Sequence, residues 1–490
     1  MEQQPPSPQQ PQQQPALPVV DEPTAARKDV TTQELRSIVI AACVGTLIEW
    51  YDFFVFGSMT STTSALFYNT GTEVGNTIAW LAAFAVGFIV RPFGAIVFGY
   101  IGDKVGRKYT FALTLVMMGV CTFLCGCLPT IKDIGPAAGI LLIILRLVQG
   151  LAIGGEYGGA ASYISEYCPE RERGFWTGFL QMTATGGLIL SLIVILIFRV
   201  SLGEANWSQF GWRFPFLLSV LLVGVSLYIR LKMRESPLFT KAKGEGKMNK
   251  NPLVESFLRP YNLYYVCLAL FGATMGQGCV WYTAQFYALT FIQTTLKTPL
   301  ITSYLIVLVA CFFAAPLFVV VGSLSDKYGR KRFMLAGIFL GATLFYPMYM
   351  GLYHFRPYEN NDGKGGFREG YNPAMMSFLT FLMVSFVALA YGPIAAFMVE
   401  LFPTSIRYTS MSLPYHIGNG IFGGLVPVIA TSVAAATGNK LSGLFYPIGV
   451  ASACFVIGLV FLPETNTRNI ENMTDAGGHV ENNVEVVEKA

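Results

Sequence analysis

Apolar runs recur along this chain, separated by short polar segments. A helix needs about 20 apolar residues to cross the hydrocarbon core of a bilayer. Twelve segments meet this length: 36–58, 76–101, 109–128, 136–160, 174–198, 212–232, 261–292, 300–324, 332–352, 373–400, 406–435 and 441–463. The pattern therefore predicts an all-α membrane protein with twelve transmembrane helices in two six-helix halves of pseudo-symmetric design.

Polar segments divide the chain further. Residues 1–35 are rich in Pro and Gln and lack the charged-then-apolar pattern of a signal peptide, so we expect a disordered tail. The N-terminal half is 36–232, the Lys-rich central loop is 233–260, and the C-terminal half is 261–463. The final segment, 464–490, is predicted to be a cytoplasmic tail, disordered from residue 473 onward.

Composition supports a membrane protein. The sequence is 53% hydrophobic and 13% charged, against about 25% charged residues in soluble domains. The net charge of +4 gives no reason to expect nucleic acid binding. The nine cysteines lie mostly in apolar segments and read as packing residues, so we expect no metal site and no cofactor. No phosphate loop or nucleophile triad is visible, which argues against an enzyme.

The Lys and Arg residues predict the orientation. With both termini in the cytoplasm, most of the 33 Lys and Arg residues fall in cytoplasmic segments. This excess follows the positive-inside rule and also places the central loop in the cytoplasm. We therefore expect a multi-pass protein of the cell membrane, either a plasma membrane or a bacterial inner membrane.

Two charged patterns occur once in each half. GYIGDKVGRK at 99–108 returns as GSLSDKYGRK at 322–331, and the pattern Glu-x2-Pro-x3-Arg occurs at 166–173 and 400–407. Duplicated halves with membrane-spanning flanks are typical of secondary transporters. The patterns predict a latch that closes the cytoplasmic side, with Glu166 and Glu400 as partners of Arg107 and Arg330. The predicted gating residues are Asp103, Arg107, Glu166, Arg173, Asp326, Arg330, Glu400 and Arg407. The alternative is that each charged loop is a simple hairpin turn.

Acidic residues inside the first span indicate proton coupling. Charges at membrane depth are costly, so they face a cavity or a partner. Glu49 and Asp52 are three residues apart and share a helix face. Two neighbouring carboxylates removed from water repel each other, and one of them is then expected to hold a proton. The alternative is an interfacial anchor with exposed acids.

The fourth span carries a polar stripe. Arg146, Gln149 and Glu156 lie on one side of an otherwise apolar helix. Because a guanidinium binds a carboxylate at two points, Arg146 suits an organic anion or a zwitterion, with Gln149 beside it. Arg91 is the second substrate-binding candidate, and Glu156 is a third proton-coupling candidate. The alternative is a structural pair between Arg91 and Glu156.

The C-terminal half has fewer charges at membrane depth. His416 is interpreted as a packing residue rather than a titrating group. Polar residues suited to completing a cavity without adding charge are Gln277, Tyr282, Gln285, Tyr391 and Asn419. The asymmetry places the predicted charge coupling in the N-terminal half.

Several motifs resemble a known family. The repeated loops and Pro-Glu-Thr at 463–465 are similar to the major facilitator superfamily. Seven motifs more narrowly resemble those of the metabolite:proton symporter family. They are GTLIEWYDFF (45–54), RPFG (91–94), GDKVGRK (102–108), RLVQGLAIGGEYGGA (146–160), WRFPFLLS (212–219), RESP (234–237) and ELFPTSIRYT (400–409). The resemblance covers residues 36 to 470. It implies transport of small metabolites such as proline and betaine, shikimate, 2-oxoglutarate or citrate.

These observations together predict a proton-coupled symporter that works by alternating access. Two arginines at depth favour a substrate with a carboxylate, and we expect a monomer in a lipid bilayer. Within the superfamily, the rival is a sugar or polyol facilitator or symporter, because RESP and Pro-Glu-Thr also resemble sugar-transporter signatures. A nutrient receptor that does not transport is a further alternative.

Overall fold

The computed structural model of the protein is a bundle of long helices. It describes residues 31–105, 107–154, 157–232, 252–357, 370–404, 406–468, 470, 473 and 476. Within these residues, eleven helices are long and apolar enough to cross a membrane, and a shorter apolar helix, Ala112–Cys127, lies in the remaining predicted span, 109–128. The predicted architecture of twelve helices is therefore confirmed.

Six of these helices belong to the N-terminal half. They are α1 (Thr32–Ser58), α2 (Glu73–Ile89 continued by Arg91–Val105), α3 (Arg107–Cys127), α4 (Ala137–Gly154 continued by Tyr157–Tyr167), α5 (Arg173–Gln209) and α6 (Ser219–Lys232). Helix α1 begins four residues before the predicted span. There Thr31 and Glu34 form a capping box, in which each side chain accepts a hydrogen bond from the other residue's backbone nitrogen.

The C-terminal half repeats this order. Its helices are α7 (Pro260–Thr295), α8 (Leu300–Tyr328), α9 (Arg330–His354), α10 (Pro373–Tyr391 continued by Ile394–Leu401), α11 (Arg407–Thr437) and α12 (Phe445–Phe461). Wide π-helical turns interrupt α7 at Leu270–Thr274, Tyr282–Tyr287 and Phe291–Thr295, and α11 at His416–Gly423. Such turns often occur at functional sites, and here they carry polar side chains at the centre of the bundle.

Two polar segments contain more ordered structure than their composition suggested. The predicted loop 233–260 contains a short helix, Pro252–Phe257, where Ser256 is buried and hydrogen bonds to Ser410 of α11. The predicted tail is partly packed, because Ile470, Met473 and Ala476 are buried. Polar composition suggested disorder from residue 473, but the side chains of Met473 and Ala476 are buried against the rest of the protein.

Helices α5 and α8 form one of the interfaces between the halves. Glycines let their backbones approach: a Cβ added to Gly174 would lie 2.3 Å from the Gly322 carbonyl oxygen, and one added to Gly178 would lie 2.9 Å from the Val319 Cα. Helices α2 and α11 form another, where Phe88 packs against Gly424. Small residues at helix contacts are common in membranes, because close packing replaces the hydrophobic drive available in water.

Candidate functional site

Arg146 and Gln149 form the predicted polar stripe of α4. Arg146 is fully buried and donates a 2.6 Å hydrogen bond from Nη1 to Oε1 of Gln149. The Gln149 amide nitrogen then donates to the Thr122 hydroxyl on α3 at 2.7 Å. This chain holds one edge of the guanidinium in place and leaves its other edge available.

Arg91 lies on the same side of the half as Arg146. It begins the second part of α2, after the break at Val90, and is 1% exposed. The Arg91 guanidinium carbon lies 4.5 Å from the centre of the Phe53 ring, and that of Arg146 lies 4.6 Å from the same ring. One aromatic side chain of α1 therefore contacts both cations, and each such contact stabilises a buried cation by about 2 kcal/mol or more.

The two guanidinium groups are only partly satisfied. Nε and Nη2 of Arg91 and of Arg146 are buried and have no hydrogen-bond partner among the described residues. Neither arginine forms an ion pair with a described carboxylate, and the two groups repel each other electrostatically. Unpaired buried donors are costly, so this arrangement favours an anionic group that would bind between the two arginines.

Aromatic side chains surround the arginines and bridge the halves. Trp281 of α7 stacks on Phe54 of α1 at 5.2 Å and on Trp50 at 6.4 Å. Tyr282, beside it, lies next to the Arg91 guanidinium and packs edge-on against Phe88. Sequence reasoning named Tyr282 as a cavity residue but missed Phe54 and Trp281, because aromatic residues in an apolar helix look like ordinary core.

A cluster of tyrosines closes the site toward the charged loops. Tyr157 of α4 stacks on Tyr415 of α11, and the hydroxyls of Tyr415 and Tyr391 hydrogen bond at 2.6 Å. Gln181 of α5 donates to the Tyr157 hydroxyl at 3.1 Å and to the Tyr391 carbonyl at 3.0 Å. This cluster connects helices from both halves through polar contacts.

The polar residues expected from the C-terminal half lie near this centre. Asn419 donates to Gln277 within the half, whereas Gln285 accepts a 3.0 Å hydrogen bond from Thr185 of α5 in the other half. His416 is buried close to Arg91 and the Gly154 carbonyl. These side chains offer hydrogen-bonding groups to the site and add no negative charge.

The two acids of α1 differ in their surroundings. Glu49 forms an ion pair with Arg230 of α6, a partner that the sequence analysis did not consider. Asp52 is fully buried, and neither carboxylate oxygen has a hydrogen-bond partner among the described residues. Glu49 therefore has a counter-charge in Arg230, whereas Asp52 has none among the described residues.

Three predicted residues cannot be placed in full. Glu156, and the side chains of Asp103 and Arg107, lie outside the described residues. The roles expected of them stay predictions, including the pair between Glu166 and Arg107.

The charged loop of the C-terminal half forms a buried network. We call the end of the bundle that carries Asp326, Arg330, Glu400 and Arg407 the motif face. Arg330 pairs with Glu400 at 2.9 Å, the partner expected from the repeated patterns, and with Asp326 at 2.7 Å. Arg330 and Glu400 are fully buried. Removing one partner of a buried ion pair strongly destabilises the folded protein, because the other charge stays buried without a counter-charge.

This network reaches into the N-terminal half. The Asp326 carboxylate accepts 2.8 Å hydrogen bonds from the backbone nitrogens of Gly174 and Phe175 at the start of α5. A helix N-terminus attracts negative charge because its first N–H groups have no partner within the helix. Arg173 lies 3.8 Å from Glu400, and Arg407 lies 3.6 Å from Glu166. The ion pairs thus cross between the halves in both directions.

The segment after α12 covers the same face. Glu464 accepts a 2.7 Å hydrogen bond from the backbone nitrogen of Arg330, and Thr465 donates to Glu400 at 2.8 Å. Farther along, the carbonyl of Arg468 accepts from Arg173 of the N-terminal half at 3.0 Å, and that of Ile470 accepts from Arg407 at 3.2 Å. The segment therefore ties both halves together.

The other end of the bundle, called the opposite face here, is also closed. Lys297, after α7, pairs with Glu73 of α2 at 2.9 Å. Ser61 donates to Gln293 at 2.9 Å, and the Tyr304 hydroxyl donates to the Ser58 carbonyl at 3.0 Å. Contacts between the halves therefore exist at both faces.

Known proteins of similar sequence are transporters. The family model described as sugar (and other) transporter matches residues 38–255 and 241–476. A putative metabolite transport protein of Haemophilus influenzae is 32% identical over 458 residues, covering 89% of this chain and 96% of that protein. The proline/betaine transporter of Escherichia coli is 29% identical over 473 residues, covering 94% of this chain and 90% of that protein.

The fold has solved counterparts. The proton:xylose symporter XylE, bound to 6-bromo-6-deoxy-D-glucose, superposes with a TM-score of 0.68 at 18% identity, covering 88% of this chain and 96% of that one. A partially occluded, inward-open structure of XylE from E. coli gives a TM-score of 0.59. The chain belongs to the sugar (and other) transporter family of the major facilitator superfamily, and it is a multi-pass membrane transporter rather than an enzyme.

Proposed function

We propose that the protein is a proton-coupled symporter of a small organic acid or zwitterionic metabolite. The observation that carries this proposal is the pair of buried arginines, Arg91 and Arg146, whose free N–H groups lack a carboxylate partner among the described residues. A substrate carboxylate would satisfy these donors and offset the repulsion between the two cations. The names of the proline/betaine transporters support a substrate of this class.

The aromatic rings supply the complementary half of a zwitterion site. Phe53 contacts both guanidinium groups, and Trp50, which lies near Arg91, stacks on Trp281. The face of an aromatic ring attracts an ammonium group. When a substrate carboxylate neutralises the guanidinium groups, these rings become available to the positive end of the same molecule. A neutral hexose would leave both cations without a counter-charge.

Asp52 is the proposed proton carrier. An ionised carboxylate buried without a partner is strongly unfavourable, and a proton removes that charge. Because Asp52 directly precedes Phe53, whose ring contacts both guanidinium groups, a charge change on Asp52 alters the field at the substrate arginines. Coupling requires that protonation favour the loaded, occluded state over the others. Glu49 and Glu156 are the remaining candidates from the sequence.

Alternating access then consists of breaking one closed face at a time. Opening the motif face would separate Asp326 from α5 and Arg407 from Glu166, whereas opening the opposite face would separate Lys297 from Glu73. Following the positive-inside rule, we place the motif face and both termini in the cytoplasm. The bacterial relatives favour a bacterial inner membrane.

Uptake by the purified protein in liposomes tests the proposal. Labelled proline, glycine betaine, organic acids and a hexose are each offered with and without an inward proton gradient. Accumulation of an acid or zwitterion that depends on the gradient supports symport. The second candidate is a sugar carrier, which the xylose symporters of similar fold favour. Equilibration of hexose, with no accumulation of any acid or zwitterion, would replace the proposal with this candidate.

A further inference from the structure

A polar cavity of about 560 Å³ lies at the opposite face, away from the arginine site. Its size falls within the range of roughly 300–1,000 Å³ that is usual for small-molecule sites. Residues of both halves line it, including Ser61, Asn76 and Glu73 from one half and Gln293, Lys297 and Thr298 from the other. We call this cavity the vestibule.

The vestibule wall includes an unpaired polar group. Gln293 is 5% exposed and Thr298 is 3% exposed. The Thr298 hydroxyl has no hydrogen-bond partner among the described residues, whereas Gln293 accepts a hydrogen bond from Ser61 and contacts the Tyr304 hydroxyl. Buried polar groups are normally paired, so unpaired ones in a cavity wall point to a ligand or water that pairs them.

The charges of the vestibule consist of one acid and one base. Lys297 Nζ lies 2.9 Å from both carboxylate oxygens of Glu73, and this ion pair joins α7 to α2. Lys297 also has a φ of 54°, a left-handed conformation that costs energy for a residue with a side chain. Both side chains are well exposed at 62% and 76%, so a dissolved molecule can reach them.

We propose that the vestibule is a second binding site for a small zwitterion, and that the bound molecule replaces the Lys297–Glu73 ion pair. Its carboxylate binds Lys297, its ammonium binds Glu73, and the neutral amides and hydroxyls bind the remainder. This inference rests on the proposed function for its ligand class. Since the ion pair connects the two halves, its replacement loosens the closed opposite face. The vestibule therefore acts as a clip that the transported class of molecule itself releases.

Equilibrium binding of labelled proline and glycine betaine to the full-length protein in nanodiscs tests this site. Arg146→Gln weakens the central site by about 30-fold, which takes it out of the concentration range used for binding, and leaves the vestibule intact. We expect wild type to bind two molecules per chain and R146Q to bind one, more weakly. Adding Lys297→Gln to R146Q should weaken that remaining site by about tenfold or more, because a charge-assisted hydrogen bond is lost. Lys440→Gln removes another lysine, one that does not line the vestibule, and should change nothing.

A distance measurement tests release of the clip. Spin labels at Ile134 and Ile301, both exposed and in different halves, should move apart in R146Q when proline is added, and the movement should disappear in R146Q/K297Q. If wild type binds one molecule and R146Q none, the vestibule proposal is overturned while the proposed function stands. A single site in both proteins that K297Q abolishes would overturn the central site instead. If neither wild type nor R146Q binds proline or glycine betaine, both the vestibule proposal and the proposed function are overturned.

Discussion

Asp326 of α8 accepts a 2.8 Å hydrogen bond from the backbone nitrogen of Gly174 at the start of α5. The same carboxylate pairs with Arg330, so one side chain connects the charged loop of the C-terminal half to a helix of the N-terminal half. A contact that exists only while the motif face is closed contributes to the equilibrium between its closed and open states.

Asp326→Asn should therefore shift the protein toward states with an open motif face. Losing the charge weakens two backbone hydrogen bonds and the pair with Arg330, an effect of about 1–3 kcal/mol. The distance between spin labels at Arg171 and Tyr328, exposed residues of opposite halves at the motif face, reports the opening in otherwise wild-type and D326N backgrounds. Asp133→Asn is the matched control, because Asp133 lies in a different loop and accepts hydrogen bonds from Thr130. Equal distances in both backgrounds would show that the loop is a simple turn.

Arg146→Gln should weaken substrate binding by about 2 kcal/mol, roughly 30-fold, because a charge-assisted contact to the carboxylate is lost. Arg146→Lys should recover only part of the affinity, since lysine lacks the planar fork that Gln149 orients. Isothermal titration with the substrate found by uptake measures both. Arg259→Gln removes an exposed cation that pairs with Glu255 and serves as the control. Unchanged affinity in a folded R146Q protein would remove Arg146 from the site.

Asp52→Asn should retain exchange of substrate across the membrane but lose accumulation driven by a proton gradient, because the amide cannot take up the proton. Glu49→Gln should instead lower the stability of the fold by about 3–5 kcal/mol, since it removes the buried carboxylate facing Arg230. For D52N, counterflow in liposomes measures exchange, and uptake driven by a proton gradient measures accumulation. For E49Q, thermal unfolding measures the loss of stability. Gradient-driven accumulation by D52N would assign the proton to Glu49 or Glu156.

Truncation after Pro463 should destabilise the closed motif face. It removes the carbonyl acceptors of Arg173 and Arg407 and the Thr465 hydroxyl that contacts Glu400. We expect a longer distance between spin labels at Arg171 and Tyr328 and a changed ratio of the two open states. Truncation after Ala476 keeps every one of these contacts and is the matched control. If the two truncated proteins behave alike, the segment does not stabilise closure.

Two glycines should give opposite results when enlarged. A Cβ at Gly178 would meet the α8 backbone at the motif-face end, and a Cβ at Gly57 would lie 2.1 Å from the buried Phe286 ring near the opposite face. Gly178→Val is therefore expected to favour an open motif face, and Gly57→Val an open opposite face. Spin-label distances across each face measure the two shifts. A shift in the same direction for both would contradict the assignment of these interfaces to separate gates.

Much of the fold was predictable because a membrane-spanning segment must have an apolar composition. Apolar runs of bilayer length specify helices, since every backbone group must be hydrogen bonded within the segment. The duplicated patterns likewise indicated the Arg330–Glu400 pair, because both residues recur at fixed places in a repeated unit. Arg146 and Gln149 were recognisable since a charge at membrane depth is costly and stands out in an apolar helix.

Contacts between distant segments depend on the tertiary structure. Arg230 neutralises Glu49, which separates it from Asp52, and no spacing along the sequence links residues 49 and 230. Phe53 lies between two guanidinium groups, and Trp281 stacks across the halves, yet each looks like ordinary core in its own helix. The helices, the halves and the costly charges can be predicted from the sequence alone, because they follow from local transfer energies. Partner choice depends on how helices cross and rotate, and only packing in three dimensions settles it.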